Sequence, residues 1–63
     1  MNNTQPTQMR KCTFKVSNSI ETFLVEGVGA NWREALNDAW HNHMTQQQRD
    51  LAHAMECLEE VAV

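Results

Sequence analysis

Two helix-start signals lie fourteen residues apart in the second half of the chain, Asn31-Trp-Arg-Glu34 and Thr45-Gln-Gln-Gln48. In each, a side chain that accepts hydrogen bonds stands three positions before a Glu or Gln able to reach back. That pattern satisfies N–H groups which the first turn of a helix leaves free. Each signal also opens a stretch of helical apolar spacing. After Asn31, residues Trp32, Ala35, Leu36, Ala39, Trp40, His43 and Met44 form one stripe, with Arg33, Glu34, Asn37, Asp38 and Asn42 facing away. After Thr45, residues Leu51, Ala54, Met55, Leu58 and Val61 or Ala62 share a face, with Asp50, Glu56 and Glu60 outward. The spacing predicts helices over about 32–43 and 46–60. No Gly or Pro separates them, so one helix over 32–60 is the alternative. Continuing the stripe would put Gln47 and Gln48 at apolar positions, which favours a break between His43 and Thr45.

Upstream the period changes. From Lys11 to Val16, residues Cys12, Phe14 and Val16 alternate with Lys11, Thr13 and Lys15, as in a half-buried strand. Ser17-Asn18-Ser19 supplies turn chemistry, and a second strand rich in β-branched and aromatic residues runs from Ile20 to Val28, bounded by Gly27 and Gly29. Phe23, Leu24 and Val25 interrupt its alternation, so a bulge or burial on both faces is expected there. A helix over 18–26 capped by Asn18 is the competing reading. The fold class expected is α+β, a hairpin at 11–28 packed on two C-terminal helices, with an all-α fold as alternative. Residues 1–9 are polar, hold the one Pro and show no apolar period, so a disordered tail is expected ahead of a single domain at 11–63.

At 63 residues the chain buries only about 60% of the surface that its unfolded form exposes, and a core this small usually needs a staple. Two Cys allow one bridge at most, and no secretory signal precedes the domain, so free thiols in a reducing cytoplasm are expected. Self-association into a homodimer is then the expected staple. Apolar runs fall far short of the ~20 residues that span a bilayer, and the acidic polar faces do not suit a membrane surface. Charge is uneven: residues 1–19 carry +3 and residues 20–63 carry −6. The net −3 argues against nonspecific nucleic-acid binding, while leaving a basic arm at Arg10, Lys11 and Lys15.

Three constellations are candidates for function. Trp32, Leu36 and Trp40, adjoined by Leu51, Met55 and Leu58, form an apolar face suited to a protein partner or a dimer seam, since Trp is enriched at binding hot spots. Thr45, Gln46, Gln47 and Arg49 are similar to the start of a recognition helix in helix-turn-helix phage repressors. Gln can bond adenine and Arg can grip guanine, with Lys11 as a backbone contact. The plainer reading of Thr45-Gln-Gln-Gln-Arg49 is a capping box followed by a solvated turn, and it is favoured. His53 and Cys57, spaced i, i+4 on a helix, would suit two zinc ligands, but no second pair stands at matching spacing, so no metal site is assigned. Catalytic residues and cofactors are likewise not expected. Ser17 and Ser19 lie far from any His, neither Cys has the basic setting of a thiolate nucleophile, and no Gly-rich phosphate loop is present.

Taken whole, the length, the polar start MNNTQPTQMRK and the segment GANWREALNDAWHNHM resemble the small early proteins encoded between the exonuclease and excisionase genes of lambdoid bacteriophages. The resemblance implies a cytoplasmic early protein that influences the choice between lysis and lysogeny without enzymatic activity. Its expected partner is a host or phage protein, with sequence-specific DNA binding as the alternative.

Overall fold

The computed structural model describes residues 9–63, so the tail expected over 1–9 lies, Met9 apart, outside the described residues. Strand β1 (Arg10–Asn18) and strand β2 (Thr22–Gly29) form the hairpin, followed by helix α1 (Trp32–Asn42), a short helix α2 (Gln46–Leu51) and strand β3 (Ala52–Ala62). The sheet has the order β2-β1-β3, antiparallel throughout. The hairpin register runs without interruption from Arg10 opposite Gly29 to Ser17 opposite Thr22. At its turn, Asn18 Oδ1 accepts the backbone N–H groups of Ile20 and Glu21, both at 2.7 Å, the local bonding that makes Asn a turn residue. Neither a bulge nor two-sided burial occurs at Phe23-Leu24-Val25. Phe23 and Val25 face α1, and Leu24 points to the open side of the sheet with 62% of its surface exposed.

Cys12, Phe14 and Val16 of β1 and Val25 of β2 meet Ala35, Ala39 and Met44 in the core. The apolar stripe of α1 therefore divides differently from its side-chain sizes. Its small members are fully buried, Leu36 and Trp40 are half-buried, and Trp32 and His43 are exposed. Gly27 and Gly29 are the reason. A side-chain carbon at Gly29 would stand 2.6 Å from the Ala35 backbone nitrogen, and one at Gly27 would stand 2.8 Å from that of Ala39. The helix lies directly on the β2 backbone, an approach that only glycine below and small residues above permit.

Both helix starts form. Asn31 accepts the N–H of Glu34 at 3.0 Å, while the Glu34 carboxylate takes the N–H of Ala30 rather than that of Asn31. Thr45 and Gln48 make the reciprocal capping box. The break expected between the helices falls at His43 to Thr45, where the His43 N–H still bonds Ala39 and Thr45 opens α2.

The helix expected over 46–60 ends instead at Leu51. Ala52 turns to an extended conformation (φ −63°, ψ 128°), and the following residues become a third strand. Ala, Met, Glu and Leu favour a helix, yet β1 as an edge strand would leave a row of backbone groups unpaired beside the core. The ladder from Arg10–Ala62 to Asn18–Ala52 satisfies them, and Lys15 comes to lie opposite Glu56. Arg10 binds Glu60 at 3.1 Å across the same ladder. Register shifts at Leu58 and at His53 break the two-residue alternation of β3. His53 and Cys57 are therefore not neighbours on a helix turn, and among the described residues no three His, Cys, Asp or Glu gather as metal ligands. Among these residues no helix is long and apolar enough to cross a membrane.

Candidate functional site: a groove between α1 and β3

Helix α1 packs on β2 and, to a lesser extent, on β1, because the glycines that admit it are both on β2. Among the described residues no helix covers the inner face of β3. Leu36, Asn37, Trp40 and His41 of α1 and Met55 of β3 line the resulting groove of about 420 Å³. Leu36, Trp40 and Met55 also touch the core from its rim, so the groove floor continues the core's apolar surface to the outside.

The structure thus gathers three of the six residues of the apolar face foreseen in the sequence. Trp32 extends the same helix stripe beyond the groove, 51% exposed, with the Arg33 guanidinium 5.9 Å from its ring centroid. Leu58 stands at the bulge of β3, also 51% exposed. Leu51 belongs elsewhere, to a smaller cavity shared with Ile20 of the hairpin turn and with Thr45, Gln47 and Gln48. A helix over 46–60 would have aligned Leu51, Met55 and Leu58; a strand beginning at Ala52 separates them.

The two edges of the sheet differ. On β2, the N–H of Val28 is taken at 2.9 Å by Asp38, which also accepts from the Asn42 amide at 2.8 Å and lies 3.3 Å from His43. The Asn42 bond first, then the Val28 N–H and the nearby His43, hold the Asp38 carboxyl below its ordinary pKa. Helix α1 thereby guards that edge. Among the described residues no strand neighbours the outer edge of β3, whose Met55 lines the groove.

The Thr45–Arg49 cluster is bonded within the fold. Arg49 donates to the carbonyl oxygens of Met44 at 2.7 Å and Trp40 at 3.1 Å, and to the Gln46 amide oxygen at 3.2 Å. Its guanidinium thus closes the C-terminal end of α1, where free carbonyls and the negative end of the helix dipole favour a cation. Gln46 donates to Asp50, Gln48 completes the capping box, and Lys11 lies 3.9 Å from Glu26. Thr45, Gln46 and Gln47 are exposed, and Gln47 lies beside the hairpin turn.

Neither the glycine platform nor the roles of Asp38 and Arg49 were foreseen in the sequence. The GVG spacing was the available signal, since alternate glycines on one strand face mark a close backbone approach.

No protein family matches the chain, no curated protein is significantly similar to it, and no solved structure matches its fold.

Proposed function

We propose that this chain is a non-enzymatic protein-binding regulator that docks a partner along the α1–β3 groove and the open edge of β3. The observation that carries this reading is the offset of α1 toward β2, which leaves Leu36, Trp40 and Met55 half-covered beside a strand edge that no other described residue pairs. An edge strand supplies backbone hydrogen bonds to an incoming strand, and a flanking pocket supplies selectivity for its side chains. The strand already paired with β3 indicates which chemistry suits it. In β1, apolar Cys12, Phe14 and Val16 alternate with Lys11, Thr13 and Lys15, and Arg10 and Lys15 meet Glu60 and Glu56 of β3. The partner segment is accordingly extended, with apolar side chains toward the groove and Lys or Arg toward the acidic strand.

A second copy is the other occupant to test, because a homodimer would staple this small core. Antiparallel pairing of two β3 strands brings Glu56, Glu59 and Glu60 of both copies close together, so that dimer should tighten as salt screens them. The internal bonds of Arg49, Gln46 and Gln48 support the capping role of that cluster over base reading. The resemblance to lambdoid phage early proteins is what suggests a host or phage partner and an effect on the lysis–lysogeny choice.

The test compares the unaltered chain with a Met55→Lys variant, checked for folding by circular dichroism, in capture from host lysate and on arrays of extended basic–apolar peptides. The variant should lose binding by tenfold or more. Equal binding by a folded variant would remove the groove from the proposal, and sedimentation at low and high salt reads self-association separately.

A further inference from the structure

The two cysteines are remote in sequence and adjacent in the fold. Cys12, on the central strand, is completely buried on the helix side of the sheet and stands opposite Glu60 of β3. Cys57 stands opposite Phe14, two residues along β1 from Cys12, with the extra residue Leu58 between it and Glu59. The two are diagonal neighbours on adjacent strands. Cys57 is exposed, and its sulfur lies 3.6 Å from the carbonyl oxygen of Glu59 within the bulge.

We infer that Cys12 and Cys57 are a redox modification site, in which oxidation forms an intramolecular disulfide tying edge strand β3 to the core beside the groove. This inference rests on the β1–β3 ladder and is independent of what the groove binds. The co-reactant is a small-molecule disulfide such as oxidised glutathione. Cys57, exposed, attacks as thiolate; the oxidant's S–S bond breaks, one thiol leaves, and a mixed disulfide forms on Cys57. Cys12 then loses its proton and attacks the Cys57 sulfur, expelling the second thiol. Two protein thiols are oxidised, one small disulfide is reduced to two thiols, and the two protons pass to the leaving groups. Burial, followed by the nearby Cys57 and Glu60, pushes the Cys12 thiol pKa up, so this second step should accelerate as pH rises.

The geometry sets what must move. Diagonal cross-strand residues are typically about 7–8 Å apart, whereas a disulfide spans about 4.4–6.8 Å between Cα atoms. Closure requires β3 to shift by roughly 1 Å, and the bulge at Leu58 supplies slack. Every side chain from Glu56 to Val63 is exposed, so no core packing over that part of β3 resists the shift. The bond would close a loop containing most of the domain, restricting the unfolded chain and fixing the strand that borders the groove.

The full chain is equilibrated with glutathione buffers from fully reduced to fully oxidised, quenched by alkylation under denaturing conditions, and analysed by mass spectrometry and thermal unfolding. The expected product is a monomer lighter by two hydrogen atoms, carrying no alkyl group, with a Cys12–Cys57 crosslinked peptide. Its Tm should exceed that of the reduced chain by about 10 °C, reversed by dithiothreitol. Cys57→Ser, an exposed change, should fold and show no such rise. Glutathione retained on Cys57 with Cys12 free, a Cys57–Cys57 crosslink between chains, two unreacted thiols in the fully oxidised buffer, or a crosslinked chain without raised Tm would each overturn the inference.

Discussion

Replacing Gly27 by Ala tests the contact on which this fold depends most directly. The added carbon would lie 2.8 Å from the Ala39 nitrogen and 3.0 Å from the Ala35 carbonyl carbon, and closer still to the Ala35 carbonyl oxygen. Ordinary contact between such atoms begins near 3.4 Å. All three belong to the backbone of α1, so no rotamer change relieves the overlap. The helix must withdraw by roughly 1 Å, loosening contacts of the fully buried Ala35 and Ala39 with the strand beneath them. Overpacking of this kind costs about 1–3 kcal/mol, and the rigidity of a helix backbone places this case near ~3 kcal/mol. Opposing it, Ala in a strand interior is more favourable than Gly by about 0.5–1 kcal/mol, leaving a net loss of ~2 kcal/mol. A 63-residue domain has a total stability of roughly 3–9 kcal/mol, so one methyl group removes a substantial fraction. In urea, followed by tryptophan fluorescence, the unfolding midpoint should fall by about 2 M at a slope near 1 kcal/mol/M. Gly27 has no positive φ, so Ala is conformationally acceptable there and the sign of the change is diagnostic. A Gly27→Ala protein with an equal or higher midpoint and an unchanged slope would refute the direct seating of α1 on β2.

Two further outcomes follow from the polar contacts around α1. Arg49→Ala should lower stability by about 1–2 kcal/mol in the same urea assay, allowing for partial exposure of the guanidinium, because the Trp40 and Met44 carbonyls lose their charged donor; unchanged stability would return Arg49 to the pool of residues available for DNA. Asp38 has a folded pKa below the ordinary 3.8, so its contribution is present above that value and is lost as pH falls through the folded pKa. Asp38→Asn should therefore flatten the acid limb of stability against pH below about 4, and superimposable acid limbs for the two proteins would contradict the assigned bonds.

The elements whose signals are local were legible in the sequence. Alternation at Cys12, Phe14 and Val16 marked β1, Asn18 marked the turn, and Asn31 and Thr45 marked two helix starts, because each depends on residues within a few positions of one another. Leu24 broke the alternation only because an open sheet face tolerates a large apolar side chain. The candidate site was half legible: Leu36 and Trp40 share a helix stripe, but their meeting with Met55 depends on β3, and Leu51 went elsewhere. Residues 52–62 carry helix-forming composition, and their alternation is broken by two register shifts, so no local pattern declares a strand. The need that made them one lies in the free edge of β1, far away in sequence. The sequence by itself determined the hairpin, the caps and the apolar stripe, since these are properties of neighbouring residues; tertiary structure alone decided β3 and the groove, since hydrogen-bond pairing across the sheet outweighed local helix propensity and the glycines of β2 fixed where α1 could lie.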